Sequence, residues 1–170
     1  VSDTGVFVED VFDDLSGLRR FRLRYDTPDW NGLTLSFAHG MDILRRGRNL
    51  EFTDMAVTYR FDADNFILAA IASYEWVDRV EERAVASASL LHKQTGLNAA
   101  VATGANQRGE GAYIYAKLGV VSDLTRHGPS AFAVEYYDGD DLGGKGLRSE
   151  AIGIGATQPI EAWNLDLVAA

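Results

Sequence analysis

Apolar and polar residues alternate with a period of two along most of the chain, the pattern of a strand with one apolar and one polar face. The first such run starts at Arg20. It sets Arg20, Arg22 and Arg24 on one face against Phe21, Leu23 and Tyr25 on the other. A turn over 26–32 follows, where Pro28 fixes φ and Asn31-Gly32 supplies left-handed positions. A second strand is predicted over 33–39, with Leu33, Leu35 and Phe37 opposing Thr34, Ser36 and Ala38. A third over 52–61 sets Met55, Val57, Tyr59 and Phe61 against Asp54, Ala56, Thr58 and Arg60. The fourth, over 66–76, carries Phe66, Leu68, Tyr74 and Trp76 opposite Ser73 and Glu75, although its middle is apolar on both faces.

Strands five and six, near 84–92 and 97–105, are rich in alanine and weakly patterned. The seventh is sharp: Ile114, Ala116, Leu118 and Val120 oppose Tyr113, Tyr115 and Lys117. The eighth, over 130–137, sets Phe132, Val134 and Tyr136 against Glu135 and Tyr137. The ninth, over 148–157, sets Ile152, Ile154 and Ala156 against Gly153 and Gly155, two glycines expected at points of strand curvature. A tenth begins at Asn164. No long stretch keeps the 3.6-residue period of a helix. The prediction is an all-β antiparallel meander, each strand pairing with the next. One face should be apolar and convex, the other polar and concave.

The connections predict two unlike rims. Those after strands one, three and five are short. Those over 40–50 and 138–146 are longer and rich in charge and glycine, and the turn over 122–129 is not short. Aromatic residues gather at the strand ends. Tyr25, Trp30, Tyr59, Phe61, Phe66 and Trp163 fall toward one rim, and Phe37, Tyr74, Trp76 and Tyr136 toward the other. Two aromatic belts suit the two interfaces of a bilayer.

Composition narrows the reading. No uncharged apolar run inside a strand exceeds 66–74. That is far short of the ~20 residues of a spanning helix, whereas a spanning strand needs only ~9–11. The net charge of −9 disfavours broad nucleic-acid binding, which needs a basic face. There is no cysteine, so disulfides and thiolate metal sites are excluded. His39, His92 and His127 lie far apart without ligand-like spacing, and no Gly-x-Ser-x-Gly elbow accompanies them, so no catalytic residue is assigned. The glycines of 139–146 lack the strand–GxxxxGK[ST]–helix setting of a phosphate cradle.

Residues 22–40, RLRYDTPDWNGLTLSFAHG, resemble the general bacterial porin family, whose members commonly carry Arg-Tyr-Asp-Ser/Thr-Pro, an aromatic, a small residue, Gly and then an alternating strand. Residues 12–19, FDDLSGLR, are similar to the segment that precedes it there, and 136–140, YYDGD, is similar less specifically. The resemblance implies a transmembrane up-and-down β-barrel, sixteen-stranded and homotrimeric, in the outer membrane of a Gram-negative cell. Its neighbours would be the lipid bilayer and lipopolysaccharide. It would pass small hydrophilic solutes and ions by passive diffusion, with no enzyme activity, cofactor or nucleic-acid partner. Residues 1–19 would be the end of a constriction loop folded into the lumen, and 20–170 barrel strands truncated at both ends. Roughly five strands upstream and one downstream would be missing, so ten strands should form a curved open sheet with unpaired edges.

The arginine ladder is the main candidate for function. Facing lipid, a mid-membrane Arg costs ~2–4 kcal/mol, whereas facing a wet lumen it is tolerated and steers ions. The bland alternative is the solvated basic face of a soluble sheet. Glu9, Asp10, Asp13 and Asp14 would oppose the arginines across the constriction, or form an ordinary solvated loop. Clustered carboxylates also suit Ca²⁺, though their spacing matches no EF-hand loop. Arg60, Tyr113, Tyr115, Lys117 and Glu135 share the lumen parity, either lining the path or merely tolerating water. Two competitors remain: a soluble or peripheral β-sheet ligand- or carbohydrate-binding protein, which would bury the apolar row in a dry core, and an outer-membrane barrel enzyme, which would need a Ser–His pair at one rim.

Overall fold

The structure is a computed structural model and describes residues 21–41, 50–78, 81–108, 111–142, 145–160, 163 and 165–169. The segment 1–19, expected as the constriction loop, lies outside them.

Ten strands form one sheet: β1 (Phe21–Asp26), β2 (Leu33–Met41), β3 (Glu51–Asp62), β4 (Phe66–Val77), β5 (Glu81–His92), β6 (Leu97–Asn106), β7 (Gly111–Thr125), β8 (Gly128–Asp140), β9 (Arg148–Ile160) and β10 (Leu165–Ala169). The order is β1 through β10 in sequence, every neighbouring pair antiparallel. The sheet does not close: β1 and β10 are its edges.

Several strands run longer than expected. β5 starts at Glu81 instead of residue 84, and β7 and β8 run on through the supposed turn over 122–129. There Thr125 pairs with Gly128 around the tight turn at Arg126-His127, after a register shift beyond Ser122. The cause is common to both. Strands longer than the apolar slab carry polar residues past it, and polarity alone mimics a turn. The Asn31-Gly32 turn behaves as expected. Both residues have positive φ, 53° and 89°, and Trp30 pairs with Leu33 around them. A Cβ on Gly32 would strike the carbonyl oxygen of Arg60, so glycine is required twice over.

Register propagates one pleat across the sheet. Leu23 pairs with His39, Leu35 with Val57, Thr103 with Ile114, Leu118 with Val134 and Val134 with Ile154. These residues therefore share one face, and Arg22, Arg24, Thr58, Lys117 and Glu135 share the other, as the alternation predicts.

The two faces differ in packing. The apolar row is uncovered: Ile152 is 73% and Ile154 71% exposed. The four buried hydrophobic residues among those described, Ala38, Phe52, Val77 and Tyr137, all lie on the polar face and are 4% exposed or less. A sheet curled toward its polar face crowds the side chains there and splays those on the apolar face.

Along β8 the apolar face runs from Ser130 through Phe132, Val134 and Tyr136 to Asp138. Eight residue steps span about 27 Å of strand, or about 21 Å across a membrane at ~40° tilt. That matches an apolar band ~25 Å tall.

Candidate functional site: the polar face of the sheet

β1, β2 and β3 bring the arginines to partners that sequence spacing conceals. Arg22 Nη1 lies 3.5 Å from Asp54 Oδ2, although 32 residues separate them. Arg24 Nε donates to Asp26 Oδ1 at 2.7 Å and its Nη2 to Ser36 Oγ at 2.9 Å. Ser36, itself buried, donates onward to Asp26. The ladder is therefore not a bare column of repelling cations, because Asp26 and Asp54 on the same face compensate it. In the sequence Asp26 reads as the start of the turn over 26–32, and Asp54 as one more polar residue of its strand. A carboxylate of matching parity two residues along, or one strand over, was the available signal.

A second network went unforeseen because β5 was expected to start later. Arg83 Nη2 lies 2.6 Å from Glu81 Oε2, and its Nη1 lies 3.8 Å from Glu75 Oε1. Asn106 Nδ2 donates to Glu81 at 3.2 Å. All four residues lie on the polar face.

β7 and β8 hold the remaining candidates. Tyr113 stacks on Tyr137 with ring centroids 6.0 Å apart. Tyr115 donates its hydroxyl to Glu135 Oε2 at 2.7 Å. Lys117 stands opposite Glu135 in the register. Arg60 is on the same face at the far end of β3, opposite Ala69. Of the candidates, Arg20, Glu9, Asp10, Asp13 and Asp14 lie outside the described residues. So do the facing of the acidic segment toward the arginines and its suitability for Ca²⁺.

The opposite face carries aromatic residues and paired charges where its apolar band ends. Tyr74 contacts Trp76 at 4.5 Å between ring centroids and donates to Glu82 at 2.9 Å. Arg108 Nη2 lies 2.6 Å from the same carboxylate. One hairpin further on, Tyr136 donates to Glu150 at 3.1 Å and Arg148 binds Asp138 at 2.7 Å. Toward the other rim Phe66 packs on His92 at 4.7 Å. The histidines have local partners: His39 Nδ1 lies 3.0 Å from Thr53 Oγ1, and His92 Nδ1 lies 2.7 Å from Thr95 Oγ1. The described ring-nitrogen contacts of His39 and His92 are thus to threonine hydroxyls, not to a serine of a nucleophilic pair.

No curated protein and no solved structure matches the chain significantly. The Gram-negative porin family matches it across residues 2–169, nearly the whole sequence. Family members are outer-membrane diffusion channels and not enzymes. The two-faced meander, the uncovered apolar row bounded by aromatics and the charged opposite face are what such a channel wall requires, and the chain belongs to the Gram-negative porin family.

Proposed function

We propose that the polar face lines the channel's water-filled passage and that the passage admits small hydrophilic solutes and ions down their gradients. The observation that carries this is the segregation of side chains that the register carries across the middle of the sheet. Arg22, Arg24, Arg60, Tyr113, Lys117 and Glu135 stand on one face, and the exposed apolar row stands on the other. The exposure of that row also counts against a soluble binding protein, which would bury it in a dry core. Solutes are sorted by size and by the charge of the wall, and no cofactor is needed. Arg20 continues the ladder, with Glu9, Asp10, Asp13 and Asp14 facing it from an inward-folded loop. The family resemblance at residues 22–40 supports a sixteen-stranded barrel assembled as a homotrimer. The bands at Tyr74, Glu82 and Arg108, and at Tyr136, Arg148 and Glu150, meet the headgroup layer, with lipopolysaccharide in the outer leaflet.

Liposome swelling tests this. Vesicles carrying the channel should swell in isosmotic monosaccharide at a rate proportional to its concentration, and more slowly in larger sugars. Saturable uptake selective for one stereoisomer, or no swelling above protein-free vesicles, would contradict passive diffusion.

A further inference from the structure

The polar face of β6–β9 carries very little charge. Among the described residues paired there, between Leu97 and Asn106, Gly111 and Val121, Ala131 and Gly139, and Ser149 and Thr157, the charged side chains are Lys117 and Glu135. How these two sit relative to each other therefore sets the local field of that wall.

They stand directly opposite one another across β7 and β8, where a lysine and a glutamate ordinarily close into an ion pair. Lys117 has no ion pair among the described residues. Glu135 is engaged elsewhere. Its carboxylate accepts the Tyr115 hydroxyl at 2.7 Å, and its side chain lies over Gly153, its register partner on β9. A Cβ at residue 153 would stand 2.7 Å from Glu135 Oε1, 2.8 Å from Cγ and 3.1 Å from Cδ. Contacts that close to Cγ as well as Oε1 mean that any larger residue would have to swing the whole side chain away. On its other side Lys117 meets only Ala100 in the β6 register. Elsewhere on this face Arg22 is compensated by Asp54, Arg24 by Asp26 and Arg83 by Glu81, whereas Arg60, four strands away on β3, has no ion pair among the described residues.

Resting on the reading that this face lines the passage, we infer that Lys117 is a binding step for small inorganic anions in the channel wall. Gly153 and Tyr115 act as positioning residues that hold Glu135 away from it. A closed ion pair presents a weak dipole to a passing ion. An ammonium with an unoccupied side presents a full cation, while a carboxylate already accepting a hydroxyl and laid against backbone is less available to cations. Glycine at residue 153 thus has a role beyond strand curvature: it is the space into which the carboxylate folds.

The test is the chloride-to-potassium permeability ratio of the reconstituted channel in a KCl gradient at low salt. Lys117→Gln should lower the ratio roughly fourfold, because one elementary charge about 8 Å from the ion path in water shifts chloride and potassium about twofold each in opposite directions. Gly153→Ala leaves net charge unchanged, yet it should lower the ratio in the same direction by returning Glu135 to Lys117. In the Lys117→Gln background it should add nothing. Tyr115→Phe, which keeps the ring and removes the hydroxyl, should act like Gly153→Ala and serves if that variant folds poorly. An unchanged ratio in Lys117→Gln overturns the anion step. An unchanged ratio in both Gly153→Ala and Tyr115→Phe overturns the positioning role. The chain has no cysteine, so Lys117→Cys offers a single thiol to a hydrophilic reagent. Reaction there with no change of ratio in Lys117→Gln defeats the inference alone. Absence of reaction defeats the lumen assignment beneath it.

Discussion

Val134→Arg should abolish most barrel formation in a bilayer, while Ala133→Arg, one residue away, should leave it nearly intact. Val134 is the middle residue of the apolar face of β8, 52% exposed and paired with Leu118 and Ile154. It lies four residues from Ser130 at one end and four from Asp138 at the other, close to the membrane midplane. An arginine there costs ~2–4 kcal/mol, a shift of roughly 30- to 1,000-fold in the folding equilibrium. Ala133 points to the other face, opposite Gly119 and Gly155, where water can solvate a guanidinium. Its substitution should cost less than ~1 kcal/mol, within the range of an ordinary surface change. Denaturant titration in lipid vesicles, followed by the heat-modifiable mobility of folded barrels, measures both. Equal losses, or the greater loss at Ala133, would mean that the apolar row is not in lipid.

Replacing Arg22 and Arg24 together by serine should turn the channel markedly toward cations. In the native wall Arg22 is compensated by Asp54 and Arg24 by Asp26, so this stretch is close to neutral. Without the arginines both carboxylates stand alone and the local charge becomes about −2. Two elementary charges, each shifting cations and anions about twofold in opposite directions, should change the cation-to-anion permeability ratio by roughly an order of magnitude at low salt. The effect should largely vanish near 1 M salt, where the Debye length is ~3 Å. Stability should change little, because the side chains of Arg22 and Arg24 are nearly half exposed and pairs so exposed contribute at most ~1 kcal/mol each. Reversal potentials in a salt gradient, wild type against the double variant, give the answer. An unchanged potential at low salt would remove the ladder from the ion path.

Much of the fold was legible because a period of two is hard to counterfeit. Each of the strands around Leu23, Val57, Leu118, Val134 and Ile154 separates its faces cleanly, and a one-residue slip would have exchanged them all. Three things were not legible, each for a physical reason. The true ends of β5, β7 and β8 carry residues such as Glu81, Ser122 and Thr125, whose polarity belongs to strand beyond the apolar slab as readily as to a turn. The compensation of Arg22 by Asp54 depends on register between strands, which no single strand encodes. The role of Gly153 depends on the residue beside it in β8, so local sequence offers curvature as its only explanation.

The central claim, that alternate residues of one strand face water and lipid, is tested most directly by single-cysteine replacement along residues 113–118 of β7. In a background without other thiols, Tyr113→Cys, Tyr115→Cys and Lys117→Cys should react with a charged hydrophilic reagent and change conductance. Ile114→Cys, Ala116→Cys and Leu118→Cys should resist that reagent and take up a lipophilic maleimide instead. Strict alternation in this phase is the predicted result. The opposite phase, or reactivity without a period of two, would contradict the assignment of the polar face to the passage.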